Sequence, residues 1–242
     1  LPDDPKVLRD RLAVHLATHD IVVLSGGVSI GRFDHVPQAL RDVGVEEVLE
    51  AMSAPTGSVA ARSPGALPTE TYFAGSREIW LNGESLQVFH QPSAHTDGDS
   101  VVYFRRSDVV VAGDLFLTTS YPIVDAAGGG SFTGVIDALN DILDLTITKD
   151  WQEGGTMVIP GHGRIGDEAD VVEYRDMLTI IRDRMQALIG RGMTLDQVKA
   201  ARPTLDYDNR YGSTTGLWTT DMFIEAAYRD LSARRGGRAA AR

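Results

Sequence analysis

Five residues whose side chains can bind a metal ion lie beside apolar stretches of this sequence. They are the carboxylates Asp34 and Asp114 and the imidazoles His35, His95 and His162. The chain has no cysteine, so a metal held by its side chains must use nitrogen and oxygen donors. Two carboxylates and several imidazoles suit Zn²⁺, Mn²⁺ or Fe²⁺. Taken singly, a histidine beside a strand usually packs or caps, and a Gly-Asp pair usually makes a turn. Together and in this order, His95, Asp114 and His162 are a much more specific signal than any one of them.

Short strands are the elements that would position three of these residues. The stretch "REIWLNGESLQVFHQP" predicts two strands joined at the Asn-Gly pair 82–83, a strong hairpin signal. The stretch "DSVVYFRRSDVVVAGDLF" repeats the pattern with a turn near 106–108, and "GTMVIPGHG" predicts a further strand. We therefore expect His95, Asp114 and His162 each to lie just after a strand, where a rigid sheet can hold them open to a substrate.

Helices are predicted between and after these strands, which gives the α/β fold class. The stretch "GSFTGVIDALNDILDLT" is amphipathic, a long helix is expected over 167–190, and a last helix covers about 218–234. Near the start of the chain, residues 5–19 predict a helix, "DIVVLSGG" predicts a strand, and "FDHVPQALRDVGV" predicts a loop and a short helix.

A stretch rich in Pro, Gly, Ser and Ala, residues 53–70, has the composition of a surface loop or linker. The predicted organisation is a helix-strand-helix segment over 1–50, integrated into the fold, followed by a domain over 51–242. We find no internal repeat in the sequence.

The overall charge narrows the classes of partner. The chain of 242 residues carries a formal net charge of -11, which disfavours generic binding to nucleic acid or to an anionic membrane. No apolar run approaches the roughly 20 residues that span a bilayer, and no signal peptide is visible. We expect a cytoplasmic protein with a small-molecule substrate.

Three of the quoted motifs resemble those of one large family. "AHTDGDSVVYF", "VVVAGDLF" and "VIPGHG" are similar to the third-histidine, bridging-aspartate and last-histidine motifs of the metallo-β-lactamase-fold hydrolase superfamily. The resemblance covers about residues 51–233, and it starts from residue 34 if the Asp-His pair there is counted. It implies a truncated αββα sandwich whose N-terminal part is replaced by the helix-strand-helix segment. It also implies an enzyme, a metallohydrolase.

The resemblance breaks at the leading motif of that family, His-x-His-x-Asp-His. Aligned with "IGRFDH", the motif matches Asp34 and His35, but Ile30 and Arg32 stand where the first two histidines belong. Of the first metal site of the family only His95 remains, so that site should be weak or absent.

The second metal site of the family is complete in this sequence. It would use the residues Asp34, His35, Asp114 and His162. One strong zinc site is therefore expected, with Mn²⁺ or Fe²⁺ as alternatives.

Catalytic roles follow for three residues. Asp34 could orient the attacking water or accept its proton. His95 could hold a second, loosely bound metal or polarise a substrate oxygen. Arg32 is either an oxyanion-stabilising guanidinium or a solvated loop residue.

A second resemblance covers about residues 1–48. Its motif "VVLSGGVSIG", followed by "VPQAL", is similar to the molybdopterin-binding domain of molybdenum cofactor biosynthesis proteins. Glycines there either let backbone N–H groups approach a phosphate or simply form a tight strand-to-helix turn. The two resemblances together indicate a fusion, natural or engineered.

The function expected from the sequence is metal-dependent hydrolysis of a small activated ester. A phosphodiester or phosphotriester is the first choice, with promiscuity towards others. The alternatives are lactonase or β-lactamase activity, a catalytically inactive binding protein of the same fold, and a molybdopterin- or nucleotide-binding module. Loss of the first strands of the family should expose a sheet edge, so we expect a homodimer, with or without exchanged segments.

Overall fold

We describe the protein from a computed structural model, which places residues 6, 9–11, 13–14 and 75–240. The internal contacts divide the chain into two units, Leu1–Tyr72 and Phe73–Arg242. In the first unit the described positions are helical, in agreement with the helix predicted over 5–19. The predicted boundary near residue 50 lies outside the described residues and stays a prediction.

The second unit is built on a five-stranded sheet with the strand order β1-β2-β3-β4-β5. Strands β1 to β4 form an antiparallel meander, and β5 pairs with β4 in parallel. The strands are β1 (Ser76–Leu81), β2 (Glu84–Gln91), β3 (Asp99–Phe104), β4 (Val109–Leu117) and β5 (Met157–His162).

The predicted hairpin is confirmed. Asn82 and Gly83 join β1 to β2 and both have positive φ angles, 50° and 79°. This is the backbone that a two-residue type I′ turn requires, which explains the strength of the Asn-Gly signal. The second predicted turn is confirmed as well, with Asp108 at a φ of 53° directly before β4.

Helices follow the meander, and the sequence pattern predicts three of them. The helices are α1 (Phe132–Leu145), α2 (Glu168–Gly190), α3 (Leu195–Ala201), α4 (Asp208–Tyr211) and α5 (Thr220–Ala240). Ser131 caps α1 by accepting a hydrogen bond from the Gly134 N–H, and Asp167 caps α2 in a reciprocal pair with Asp170. The short helices α3 and α4 are additions that the sequence pattern does not predict.

The core lies where β4 and β5 meet the helices. Val110, Leu115 and Phe116 of β4 are almost fully buried, as are Leu139 of α1 and Leu178 of α2. Burial of a side chain of this size contributes about 1.5–3 kcal/mol. A sheet covered by helices confirms the α/β class. A second sheet, which a complete αββα sandwich would have, is not among the described residues.

Among the described residues, β1 is the last strand at the opposite edge of the sheet. Every residue of β1 is exposed, including Ile79, Trp80 and Leu81. Among the helices of the described ranges, none combines the length and the apolar character needed to cross a membrane.

Candidate metal centre

Asp114 lies inside β4, in its irregular part. The parallel register between β4 and β5 shifts on both sides of Gly113, which has a φ of 56°. The prediction that Asp114 follows the strand is therefore wrong, because the strand continues to Leu117. An irregularity of this kind changes the direction of the side chains beside it, and here the neighbouring side chain is the carboxylate of Asp114.

His162 is the last residue of β5 and stands between two glycines that sterics require. A Cβ atom at Gly161 would collide with Oδ1 of Asp114. At Gly163 the φ angle is 106°, and a Cβ atom would collide with the hydroxyl of Thr118. The "GHG" sequence therefore lets β5 lie directly against the carboxylate of Asp114.

Thr118 holds the turn after His162. Its backbone N–H donates to the carbonyl oxygen of His162 at 3.1 Å, and its hydroxyl accepts a hydrogen bond from the Arg164 N–H at 3.0 Å. The guanidinium of Arg164 is in turn bound to the carboxylate of Asp170. The sequence carries no signal for the role of Thr118, because that role depends on the pairing of β4 with β5.

His95 lies in the loop between β2 and β3, and one of its ring nitrogens is anchored. Its Nδ1 is 2.9 Å from the carbonyl oxygen of Ile123. A carbonyl oxygen only accepts hydrogen bonds, so Nδ1 carries a proton, and in the neutral form of the ring Nε2 has the free lone pair. A histidine that binds a metal through one nitrogen usually donates its other N–H in this way.

Both imidazoles approach the carboxylate of Asp114, from different sides. Nε2 of His95 is 3.7 Å from Oδ2, and Nε2 of His162 is 3.5 Å from Oδ1. Such separations are long for hydrogen bonds. They are close to the separation of about 3.4 Å between two ligands on one tetrahedral ion with bonds of about 2.1 Å. The side chains of Asp114 and His162 are 33% and 43% exposed, so a substrate can reach them.

These three donors suit a zinc-type ion in chemistry, but they are an incomplete set. Within residues 6, 9–11, 13–14 and 75–240, no three such side chains form a group that could hold a metal by itself. Further donors have to come from elsewhere. Asp34, His35 and Arg32, which the sequence motif assigns to the site, lie outside the described residues, and their part in it stays a prediction.

Two titratable groups near the site, Asp99 and Tyr174, have raised pKa values. Burial raises the pKa of Asp99, although the Thr96 N–H, at 2.8 Å, opposes that rise. Burial also raises the pKa of Tyr174 well above its ordinary value, and its hydroxyl donates to the Ser120 carbonyl oxygen at 3.0 Å. Tyr174 therefore stays protonated and does not act as a base.

His90 is the other histidine among residues 75–240, and it belongs to β2 as predicted. Its Nε2 lies 2.7 Å from the carbonyl oxygen of Asp97, in the loop that carries His95.

Comparison with known protein families finds one matching profile. The profile described as "Probable molybdopterin binding domain" matches residues 1–111. The match includes the predicted segment 1–48 and runs on to Val111 in β4. No curated protein matches the chain.

Solved structures of other proteins also resemble part of the chain. The sec-alkylsulfatase Pisa1 from a Pseudomonas species superposes with a TM-score of 0.51 at 15% identity, over 68% of this chain and 27% of that one. A metallo-β-lactamase family protein from Thermus thermophilus gives a TM-score of 0.43 at 20% identity, over 66% and 48%. A metallo-β-lactamase from Pontibacter korlensis gives 0.34 at 19% identity, over 44% and 47%.

The predicted resemblances are confirmed in that both families are found among the matches. The similarity to the alkylsulfatase shows a shared fold. The chain spans less than half of the length of each of these three proteins.

Proposed function

We propose that this protein is a metal-dependent hydrolase of small activated esters, with phosphodiesters and phosphotriesters as its first substrate class. One observation carries the proposal. His95 and His162 approach the two different oxygens of the Asp114 carboxylate, at 3.7 and 3.5 Å. The fold shared with an alkylsulfatase supports the hydrolase class.

His95, Asp114 and His162 would bind metal, together with Asp34 and His35. A bound ion of this type lowers the pKa of a water molecule and stabilises negative charge on an oxygen. The residues Asp34 and His35 enter this proposal from the sequence motif alone.

The side chains themselves do the positioning. The bond to Ile123 keeps the ring of His95 fixed, with the Nε2 lone pair towards Asp114. Asp34 accepts the proton of the attacking water, and Arg32 neutralises negative charge that develops on the ester oxygens. The partial exposure of His162 leaves the site open on one side, which suits small substrates of varied shape.

A sulfate ester is the second candidate substrate. The observation that favours it is the fold shared with the alkylsulfatase. Sulfate monoesters and phosphodiesters both present tetrahedral oxyanions, so one arrangement of cationic groups can serve either. Lactones and β-lactams remain the carbonyl alternatives.

Metal content and turnover test the proposal together. The protein is loaded with zinc, manganese or iron and analysed by elemental mass spectrometry, beside the variants Asp34→Ala, Asp114→Ala and His162→Ala. The matched control is Asp144→Ala, because Asp144 is exposed on α1. We expect the three site variants to lose metal and the control to keep it. Unchanged metal content in all three site variants would contradict the proposed metal site.

The substrate class is tested with aryl phosphodiesters, phosphotriesters, sulfate esters, lactones and a chromogenic β-lactam. We expect chelator-sensitive turnover that is fastest on the phosphoesters. Metal binding without turnover of any of these compounds would favour the inactive binding protein instead.

We also propose a homodimer in which a second copy covers β1. The support is that β1 ends the described sheet and all its side chains are exposed. Antiparallel pairing of two copies centred on Ile79 sets Arg77 opposite Leu81 and Glu78 opposite Trp80. Pairing centred on Arg77 would set this residue opposite Arg77 of the second copy, and pairing centred on Glu78 would do the same for Glu78. Like charges directly opposite each other destabilise a sheet.

A further inference from the structure

We infer that residues 123–131, termed the clamp segment, position His95 by fixing both its ring orientation and its tautomer. The inference rests on the proposed function for the use of His95, but not for the contacts themselves. It assigns a role to a stretch, "IVDAAGGGS", that holds none of the proposed metal ligands.

The clamp segment is bonded along its length to residues 93–97, the loop that carries His95. Besides the bond from Nδ1–H of His95 to Ile123, the Asp125 N–H donates to the carbonyl oxygen of His95 at 2.9 Å. The Ser131 N–H donates to Ala94 and the Asp97 N–H to Gly128, each at 2.8 Å. Both the backbone and the ring of His95 are thus held by one partner segment.

Two glycines allow this close approach. A Cβ atom at Gly130 would collide with the carbonyl oxygens of His95 and Asp125. At Gly134, in the first turn of α1, it would collide with the carbonyl oxygen of Ser93. Neither glycine has a φ in the left-handed region, so the backbone conformation does not require glycine. The close approach of the two segments does.

The turn inside the clamp segment is stabilised by the side chain of Asp125. The carboxylate of Asp125 accepts hydrogen bonds from the Ala127 and Gly128 N–H groups at 3.0 and 3.1 Å. This Asx-type turn brings Gly128 and Gly130 round to the loop of His95. Asp125 therefore shapes the clamp without touching the imidazole.

The consequence for His95 is chemical. An imidazole without such a partner exchanges its proton between the two nitrogens and rotates about its χ angles. The carbonyl of Ile123 holds the proton on Nδ1. The unprotonated nitrogen Nε2, with its lone pair, then faces Asp114. Loss of a partner of this kind typically costs about 10–100-fold in metal affinity or activity.

Nitrogen-15 NMR of the metal-free protein tests the inference without relying on catalysis. Spectra are recorded at a pH where the ring is neutral, and the resonances of His95 are assigned with His95→Gln. We expect protonation on Nδ1 in the parent protein. We expect a mixture of tautomers in Gly130→Ala, together with zinc binding weakened about 10–100-fold.

Gly190→Ala is the matched control, because a Cβ atom at Gly190 meets nothing within 4 Å. Circular dichroism establishes that each variant is folded. If Gly130→Ala does not fold, Asp125→Ala takes its place in the same measurements, because it loosens the turn without a collision.

A folded variant in which His95 stays protonated on Nδ1 and zinc affinity stays within about twofold would overturn the inference. Failure of the proposed function looks different. In that case the parent protein binds no zinc or hydrolyses no ester, while the tautomer of His95 still changes in the variant. That result would support the role of the clamp segment and contradict the proposed hydrolase function.

Discussion

The two ends of the sheet differ in almost every respect. At the β4–β5 end Val110, Leu117 and Val158 are fully buried, and the histidines of the site meet Asp114 there. At the β1 end no side chain is buried. The irregular backbone around Gly113 occurs at the end of the sheet that contributes to the buried core. The site therefore lies where the fold is most tightly fixed.

The sequences of the two strands explain the difference. Strand β4 reads "VVVAGDLFL", a nearly continuous apolar run of the kind found in strands covered on both faces. Strand β1 reads "SREIWL", with charged residues next to apolar ones. A short edge strand carrying charge resists indiscriminate pairing but leaves Trp80 exposed.

The largest expected effect is at the closed end. Phe116 is 1% exposed and its ring meets that of Tyr174 edge-on at 5.5 Å. Phe116→Ala should lower the free energy of unfolding by about 3–5 kcal/mol, because the cavity cannot collapse between a sheet and a helix. Urea denaturation measures it. A loss below about 1 kcal/mol would contradict the contrast between the two ends.

The next effect separates helix propensity from close packing. Gly134→Ala lies in α1, where alanine alone would stabilise by about 1 kcal/mol. The collision with the Ser93 carbonyl oxygen should reverse the sign and destabilise by about 1–3 kcal/mol. Thermal unfolding beside Gly190→Ala gives the comparison. A raised melting temperature for Gly134→Ala would mean that the two segments separate easily.

A smaller effect depends on pH. Burial raises the pKa of Asp230, but hydrogen bonds from Thr133 and from Arg234 outweigh it and leave that pKa below the ordinary value. The Thr133 N–H bond is 3.0 Å long and links α5 to the start of α1. Asp230→Asn should therefore cost about 1 kcal/mol at neutral pH.

The sign of the pH dependence follows from the lowered pKa of Asp230. The stabilisation is complete above about pH 4, the pKa of an unfolded aspartate, and is lost as the pH falls through the folded pKa. The difference in unfolding free energy between parent and variant should thus vanish in strong acid. A difference that is independent of pH would assign the effect to shape and not to charge.

The smallest effect is expected at the open end. Trp80 is 72% exposed, so Trp80→Ser should change the stability of the isolated chain by no more than about 0.5 kcal/mol. Light scattering of the parent protein at several concentrations measures the homodimer directly. We expect Trp80→Ser to weaken it, and a parent protein that is monomeric throughout would refute it.

Local patterns predict most of the fold. The Asn-Gly pair predicts the hairpin and the amphipathic stretch predicts α1, and the structure has both elements. The helices α3 and α4 span only 7 and 4 residues, too few for a period to show.

The candidate site depends on pairings that no local pattern contains. The motifs around His95, Asp114 and His162 point to one place, and the structure brings these residues together. The partner of the His95 ring is a backbone carbonyl 28 residues away, so the residue type at 123 gives no hint of it. The register shift that holds Asp114 inside β4 depends likewise on β5.

The pairing of β4 with β5 also sets an order of events in time. The hairpins of the meander close over a few residues each, whereas Val109 must find Met157 across the whole of α1. Closing the longer loop costs more chain entropy, so we expect this parallel pair to form after the meander. A nascent chain could thus carry folded strands and still lack the second imidazole. Assembly of the site would report that β5 has joined the sheet.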